Sequence, residues 1–156
     1  MTDMHTSDVY DQRGEELASV NTPFLNLGGR RIFSGPIRTV RCFEDNGLLK
    51  KIMREEGNGQ VLVVDGGGTL RCAMMGGNMA QEFADHGWAG VVIHGAVRDR
   101  HEIKETDLGV QALGSNPRRS GKAGAGEKDV ELAFGDVSFL NGKMLYADDD
   151  GILVER

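Results

Sequence analysis

The sequence predicts a mixed α/β domain whose sheet is partly parallel. Three observations carry that reading. Two all-apolar runs, residues 61–64 (VLVV) and 90–94 (GVVIH), flank a segment with helical apolar spacing. Such runs, buried on both faces and joined through a helix, are the pattern of a strand–helix–strand crossover. The C-terminal part carries short apolar stretches at 130–134, 137–140, 144–146 and 152–154, separated by turn residues as antiparallel strands are. Glycine supplies 23 of 156 residues and proline only three. The usual glycine share is about 7%, so tight turns and close backbone approaches are expected rather than disorder.

Taken in order, Ile37, Val40 and Cys42 within residues 31–43 read as strand, with Gly35-Pro36 as a break. Residues 45–56 carry Leu48, Leu49, Ile52 and Met53 at helical spacing, and Gly57-Asn58-Gly59 ends that helix. The run 61–64 leads into Asp65-Gly66-Gly67-Gly68. Met75, Met79 and Phe83 fall four apart, with Ala80 and Ala84 beside them, giving an amphipathic helix to about His86. Asn78 reads as its N-cap, with Gln81 three residues on completing a capping box. The run 90–94 follows, then Gly95 and a polar stretch that lasts to residue 129. The whole, 1–156, reads as a single domain.

Composition narrows the function. Lys and Arg number 18 against 24 Asp and Glu, a formal charge of −6. That balance argues against direct nucleic-acid binding, which rests on clustered cations. Two cysteines, Cys42 and Cys72, make no disulfide framework. No apolar run approaches the roughly 20 residues of a membrane span. The first 20 residues hold five acids and no apolar stretch, so no secretory signal is expected and the reading is of a cytoplasmic protein.

In an open α/β sheet, ligands gather outside the carboxyl ends of the parallel strands. Two such ends occur, at Asp65-Gly66-Gly67-Gly68 and at Gly95-Ala96-Val97-Arg98-Asp99. The intervening helix opens near Gly76-Gly77-Asn78, and a glycine-flanked helix N-terminus suits an anion. Arg98 adds a bidentate grip on a carboxylate, and Asp99 a hard oxygen for a divalent cation. Together they suit an α-keto acid bound beside a metal Lewis acid. Against this stands the ordinary reading, since most Arg-Asp dipeptides are surface charge pairs.

Residues 63–103 (VVDGGGTLRCAMMGGNMAQEFADHGWAGVVIHGAVRDRHEI) resemble the regulator of ribonuclease E activity A (RraA) family. TVRCFEDNGLLK (39–50), GSNPR (114–118) and YADDDGI (146–152) extend the resemblance over nearly the whole chain. The family implies a swivelling β/β/α fold and a ring-shaped homotrimer. It includes metal-dependent 4-hydroxy-4-methyl-2-oxoglutarate / 4-carboxy-4-hydroxy-2-oxoadipate aldolases, which release pyruvate and also decarboxylate oxaloacetate. Carried over, the resemblance implies Arg98 as the substrate-carboxylate arginine and Asp99 as the ligand of a divalent cation, Mg²⁺ or Mn²⁺. It implies Gly76, Gly77, Asn78 and Met79 as the loop that cradles the keto acid, and Glu102 as completing an Arg-Asp-x-x-Glu pattern. Many active members carry an acid at the position of Gly77.

Two functional classes follow: a lyase on 4-hydroxy-2-oxo dicarboxylic acids, or a non-enzymatic protein that docks on ribonuclease E. A quinone methyltransferase is a weaker third, since Asp65-Gly66-Gly67-Gly68 is followed by no further cofactor pattern. A tight turn is the expectation there. Asp148-Asp149-Asp150-Gly151 lacks EF-hand spacing and reads as a charged turn. His94 reads as a satisfied core or edge histidine. Cys72 has no partner histidine, so a thiol nucleophile is not expected. Arg118, Arg119 and Lys122 read as a solvated basic loop.

Overall fold

The computed structural model describes residues 4–156. The mixed α/β reading is the architecture found. Four parallel strands form the centre of the sheet: β3 (Phe33–Arg41), β4 (Val61–Asp65), β6 (Gly90–Val97) and β7 (Gly109–Ser115). On one side, β11 (Met144–Asp148), β12 (Gly151–Glu155) and β1 (Leu17–Ser19) continue antiparallel from β3. On the other, β2 (Leu25–Asn26) closes the edge against β7. Two short strands sit off this path. β5 (Ala73–Met75) pairs parallel with β6, and β8 (Glu127–Lys128) pairs with β3. β9 (Leu132–Phe134) and β10 (Val137–Phe139) form a separate hairpin.

The apolar run of β4 lacks alternation because both of its faces are covered. Leu62 and Val64 face a cluster containing Leu49, Ile52, Met79, Phe83 and Trp88. Val61 and Val63 face the opposite cluster, with Leu132, Phe139 and Leu145. Four helices flank the sheet: α1 (Thr6–Arg13), α2 (Gly47–Ile52), α3 (Gly77–Asp85) and α4 (Arg100–Ile103).

Several expectations shift. Gly35-Pro36 does not break β3. Residues 33–36 pair with β11 and residues 37–41 with β4, so Pro36 lies where the strand changes partners and its missing N–H is not needed. α2 is shorter than residues 45–56 because Asp45 stays outside it and accepts the Gly47 N–H at 2.9 Å. Asn78 is not the cap of α3: the N-cap is Gly76, with no side-chain cap bond, and Gln81 donates to Asp85 instead. Met75 belongs to β5. The polar stretch hides a parallel strand, β7, in which Gln111 is buried and donates to the Asp148 carbonyl at 3.0 Å. Asp148 is no solvated turn residue. It is buried and accepts the Thr6 N–H and Oγ1–H at 2.7 Å each, tying α1 to the sheet.

Candidate active site

β5 and β6 run parallel and end side by side, and the Arg98 N–H donates to the Met75 carbonyl at 3.0 Å. The chain leaving β5 turns through Gly76 into α3. The chain leaving β6 presents Arg98 and Asp99. Asp99 adopts a left-handed backbone, φ 61 and ψ 45, a conformation that Asp tolerates better than most residues. That turn brings its carboxylate back to α3, where Oδ2 accepts the Gly77 N–H at 3.0 Å. An acid from another strand end thus does for this helix what an N-cap side chain would do. The Arg98 Nε stands 3.9 Å from the same Oδ2, and its Nη1 donates to Pro117 O at 3.4 Å.

A cavity of about 200 Å³ opens here. Gly76, Asn78, Met79, Arg98 and Asp99 line it, together with Asn46, Lys50, Arg119, Ser120 and Lys122. It is smaller than the about 300–1,000 Å³ of drug-sized sites. A larger groove of about 450 Å³ lies between α1 and the β12 turn, but no cation lines it.

The sequence gives little sign of the cationic part of this lining. Arg119 and Lys122 lie on an exposed loop, as expected, but both also line the cavity. Their loop is held by Asp45, whose carboxylate accepts N–H groups of Gly47, Gly124 and Ala125 at 2.9, 3.1 and 3.3 Å. These bonds, that of Gly47 foremost, hold the Asp45 carboxyl below the ordinary carboxylate range. Asn46 N–H donates to Gly121 O, and Gly121 N–H to Glu44 O, each at 2.9 Å. Burial, with Lys122, Arg119, Arg54 and Arg98 nearby, pushes the Lys50 ammonium below its ordinary pKa. The only local sequence signal for this part of the lining is the clustering of cations at 118–122.

Glu102 and Gly77 lie outside that lining but meet each other. A Cβ at Gly77 would fall on the Glu102 carboxylate, with Glu102 Cβ and Cδ both 2.9 Å away. Glu102 therefore fills the space that an acidic side chain at position 77 would need.

The donor set fits a hydrated cation rather than a protein cage. Among the described residues, no three His, Cys, Asp or Glu side chains gather as metal ligands. Asp99 offers Oδ1, its Oδ2 being engaged by Gly77. Mg²⁺ is commonly held by one or two carboxylates, with waters and substrate oxygens completing the shell.

Other candidates settle into structural roles. In the Asp65-Gly66-Gly67-Gly68 loop, Gly66 and Gly68 N–H donate to His94 O and Gly67 N–H to Asp65 Oδ1, so all three glycine donors are used internally. His94 stacks on Phe134 at 4.4 Å, but its buried Nδ1 has no hydrogen bond, so it is packed rather than satisfied. Burial pushes the Cys42 thiol up to about 12 and also raises Cys72, which disfavours the nucleophilic thiolate in both. No helix among the described residues is long and apolar enough to cross a membrane.

Comparisons with known proteins agree with this architecture. The RraA-like (Aldolase/RraA) family model matches residues 6–154. A structure of the RNA-processing inhibitor RraA from Thermus thermophilis is 47% identical, covering 99% of this chain and 93% of that one, with a TM-score of 0.94. A structure described as S-adenosylmethionine: 2-dimethylmenaquinone methyltransferase, from Geobacillus kaustophilus, is 46% identical over 97% and 94% of the two chains, with a TM-score of 0.95. An unusual Streptomyces coelicolor member of the RNase ES inhibitor RraA family is 26% identical, covers 97% and 79%, and has a TM-score of 0.78. With its parallel core, its paired strand ends and a family match from residue 6 to residue 154, the chain belongs to the RraA-like family.

Proposed function

We propose that the protein is a divalent-metal-dependent lyase that cleaves 4-hydroxy-2-oxo dicarboxylic acids such as 4-hydroxy-4-methyl-2-oxoglutarate to pyruvate, with oxaloacetate decarboxylation as a side activity. The observation that carries this is the joint placement of Arg98, Asp99 and the amide end of α3 at one small cavity. Arg98 grips the C1 carboxylate through its planar fork, and the backbone of Gly76 to Met79 cradles the same end. Asp99 holds the cation, Mg²⁺ or Mn²⁺, which when bound supplies Lewis-acid polarisation of the 2-oxo group. Breaking C3–C4 leaves the electron pair on C3 as the enolate of pyruvate. The C4 hydroxyl loses its proton as it becomes the carbonyl of the second product, and C3 then takes up a proton. Glu102, which abuts Gly77, is the acid left free of the cation and the candidate for moving those protons. Oxaloacetate loses CO₂ to give the same enolate.

The test is pyruvate release from 4-hydroxy-4-methyl-2-oxoglutarate and oxaloacetate with Mg²⁺ or Mn²⁺, then with chelator. Turnover that the chelator abolishes is expected; a flat trace with both substrates refutes the lyase.

The second reading is a protein-binding inhibitor of ribonuclease E, favoured by the 47% identity to the Thermus RNA-processing inhibitor. A complex with ribonuclease E that slows RNA cleavage, formed equally by Asp99→Asn, is its signature. The methyltransferase description of the Geobacillus relative finds less support, since the glycine-loop N–H groups are already engaged.

We also propose a homotrimer in the cytoplasm. Phe43 and Leu70 are 57% and 49% exposed, and burying such side chains against another copy favours association.

A further inference from the structure

The candidate cavity is lined by four cations, Lys50, Arg98, Arg119 and Lys122, and by one carboxylate, Asp99. Arg98 and Asp99 pair with each other. Lys50, Arg119 and Lys122 form no ion pair among the described residues. Besides the Arg98–Asp99 pair, the lining therefore carries three positive charges with no acid to balance them. One of them, Lys50, is half-buried. A desolvated ammonium facing other cations is unfavourable until an anion arrives. The C1 carboxylate and the 2-oxo group are accounted for by Arg98, Asp99 and the Gly76 to Met79 backbone. The remaining cations need an anion elsewhere on the same ligand.

We propose that Lys50 and Arg119, with Lys122 at the rim, form a distal subsite that grips the second carboxylate of the substrate and so select 2-oxo dicarboxylates over 2-oxo monocarboxylates. This rests on the oxo-acid reading of the pocket and adds the residues that set its specificity. The lining cations come from distant chain segments. Lys50 stands on α2, and Arg119 stands on the loop that Asp45 clamps to that helix. Arg119 is further tied by a backbone bridge to Ala73 of β5, so the fold holds both cations at the cavity. Lysine serves as a point charge, whereas arginine adds a planar fork.

The experiment uses two five-carbon acids that differ only in the second carboxylate. 2-Oxoglutarate and 2-oxopentanoate both lack the C4 hydroxyl, so retro-aldol cleavage is closed to them. Binding of each is measured by isothermal titration calorimetry in buffer with Mg²⁺. The expected result is that 2-oxoglutarate binds at least about tenfold tighter, as a charge-assisted contact allows. Lys50→Gln and Arg119→Gln should each bring that ratio towards one, and Lys50→Arg should keep most of it. Arg119→Gln lies on an exposed loop and provides a readout if Lys50→Gln fails to fold. Equal affinity for the two acids overturns the subsite and leaves the keto-acid reading standing. A tenfold preference that survives both Gln variants also overturns the subsite. Binding of neither acid overturns both.

Discussion

At the scale of single residues, the candidate chemistry rests on groups whose partners are defined. Among the described residues, Arg98 makes one long side-chain hydrogen bond, to Pro117 O at 3.4 Å, and one loose ion pair, to Asp99 at 3.9 Å. Arg98→Lys should therefore raise the KM for an oxo acid by about tenfold or more while unfolding shifts by less than about 0.5 kcal/mol. Steady-state kinetics with a thermal melt checks both. Asp99→Asn keeps an oxygen that can accept the Gly77 N–H, so α3 stays capped, but it removes the charge that holds a cation. Mg²⁺ stimulation should vanish while Tm falls by only about 2–4 °C, the equivalent of roughly 1 kcal/mol in a chain of this size. Position 77 and Glu102 compete for one volume. Gly77→Asp by itself should not raise turnover, because it displaces Glu102. Glu102→Gln should lower turnover about 10–100-fold, the usual cost of losing such a supporting group. Gly77→Asp combined with Glu102→Ala should recover part of that loss. Faster turnover from Gly77→Asp alone would show that Glu102 moves aside freely and has no part in catalysis.

At the scale of elements, two buried carboxylates hold segments that local propensity would leave loose. Asp45 ties the Gly121-to-Ala125 loop to α2 through backbone N–H groups. Asp148 ties α1 to the sheet through Thr6. Asp148→Ala leaves the Thr6 donors unpaired, which costs about 1–3 kcal/mol, and differential scanning calorimetry should show Tm several degrees lower. Asp45 has a depressed folded pKa. Its contribution to stability is thus present above the unfolded carboxylate value of about 3.9 and fades as pH falls through the lower folded value. Asp129, held down by Arg38 and Asn141, behaves alike. Melting temperature measured from pH 6 to pH 2.5 should fall most steeply below about pH 4, and Asp45→Asn should flatten that fall. A wild-type curve with its steepest fall above pH 5 would contradict the assignment. The crossover strands and the central turns of α2 and α3 were legible, because burial on one or two faces imposes a period on the sequence. β7 was not, because Gln111 interrupts its apolar run. Among the described residues, the N–H of that amide is satisfied by the Asp148 carbonyl, which the folded chain brings in from β11.

At the scale of the whole molecule, association should accompany function. The short edge strands β1 and β2, together with exposed Phe43 and Leu70, leave surface that another copy can cover. Sedimentation equilibrium should give three times 16.9 kDa or a multiple of that; a monomer mass refutes the trimer. Local pattern by itself determined the parallel crossover, the antiparallel C-terminal strands, and the position of Arg98 and Asp99 at a strand end. Each of these depends on neighbours in the chain, through burial period, turn residues and the rule that ligands gather at strand carboxyl ends. Tertiary structure alone decided the rest. Asp99, 22 positions away, supplies the acceptor that α3 lacks at its own N-terminus. Glu102 closes over Gly77, and Lys50 and Arg119 line the same cavity as Arg98. Such contacts join residues far apart in the chain, so they leave no period or spacing to read. They form only when packing of α2, α3 and the loop after β7 against one sheet fixes the distances between them.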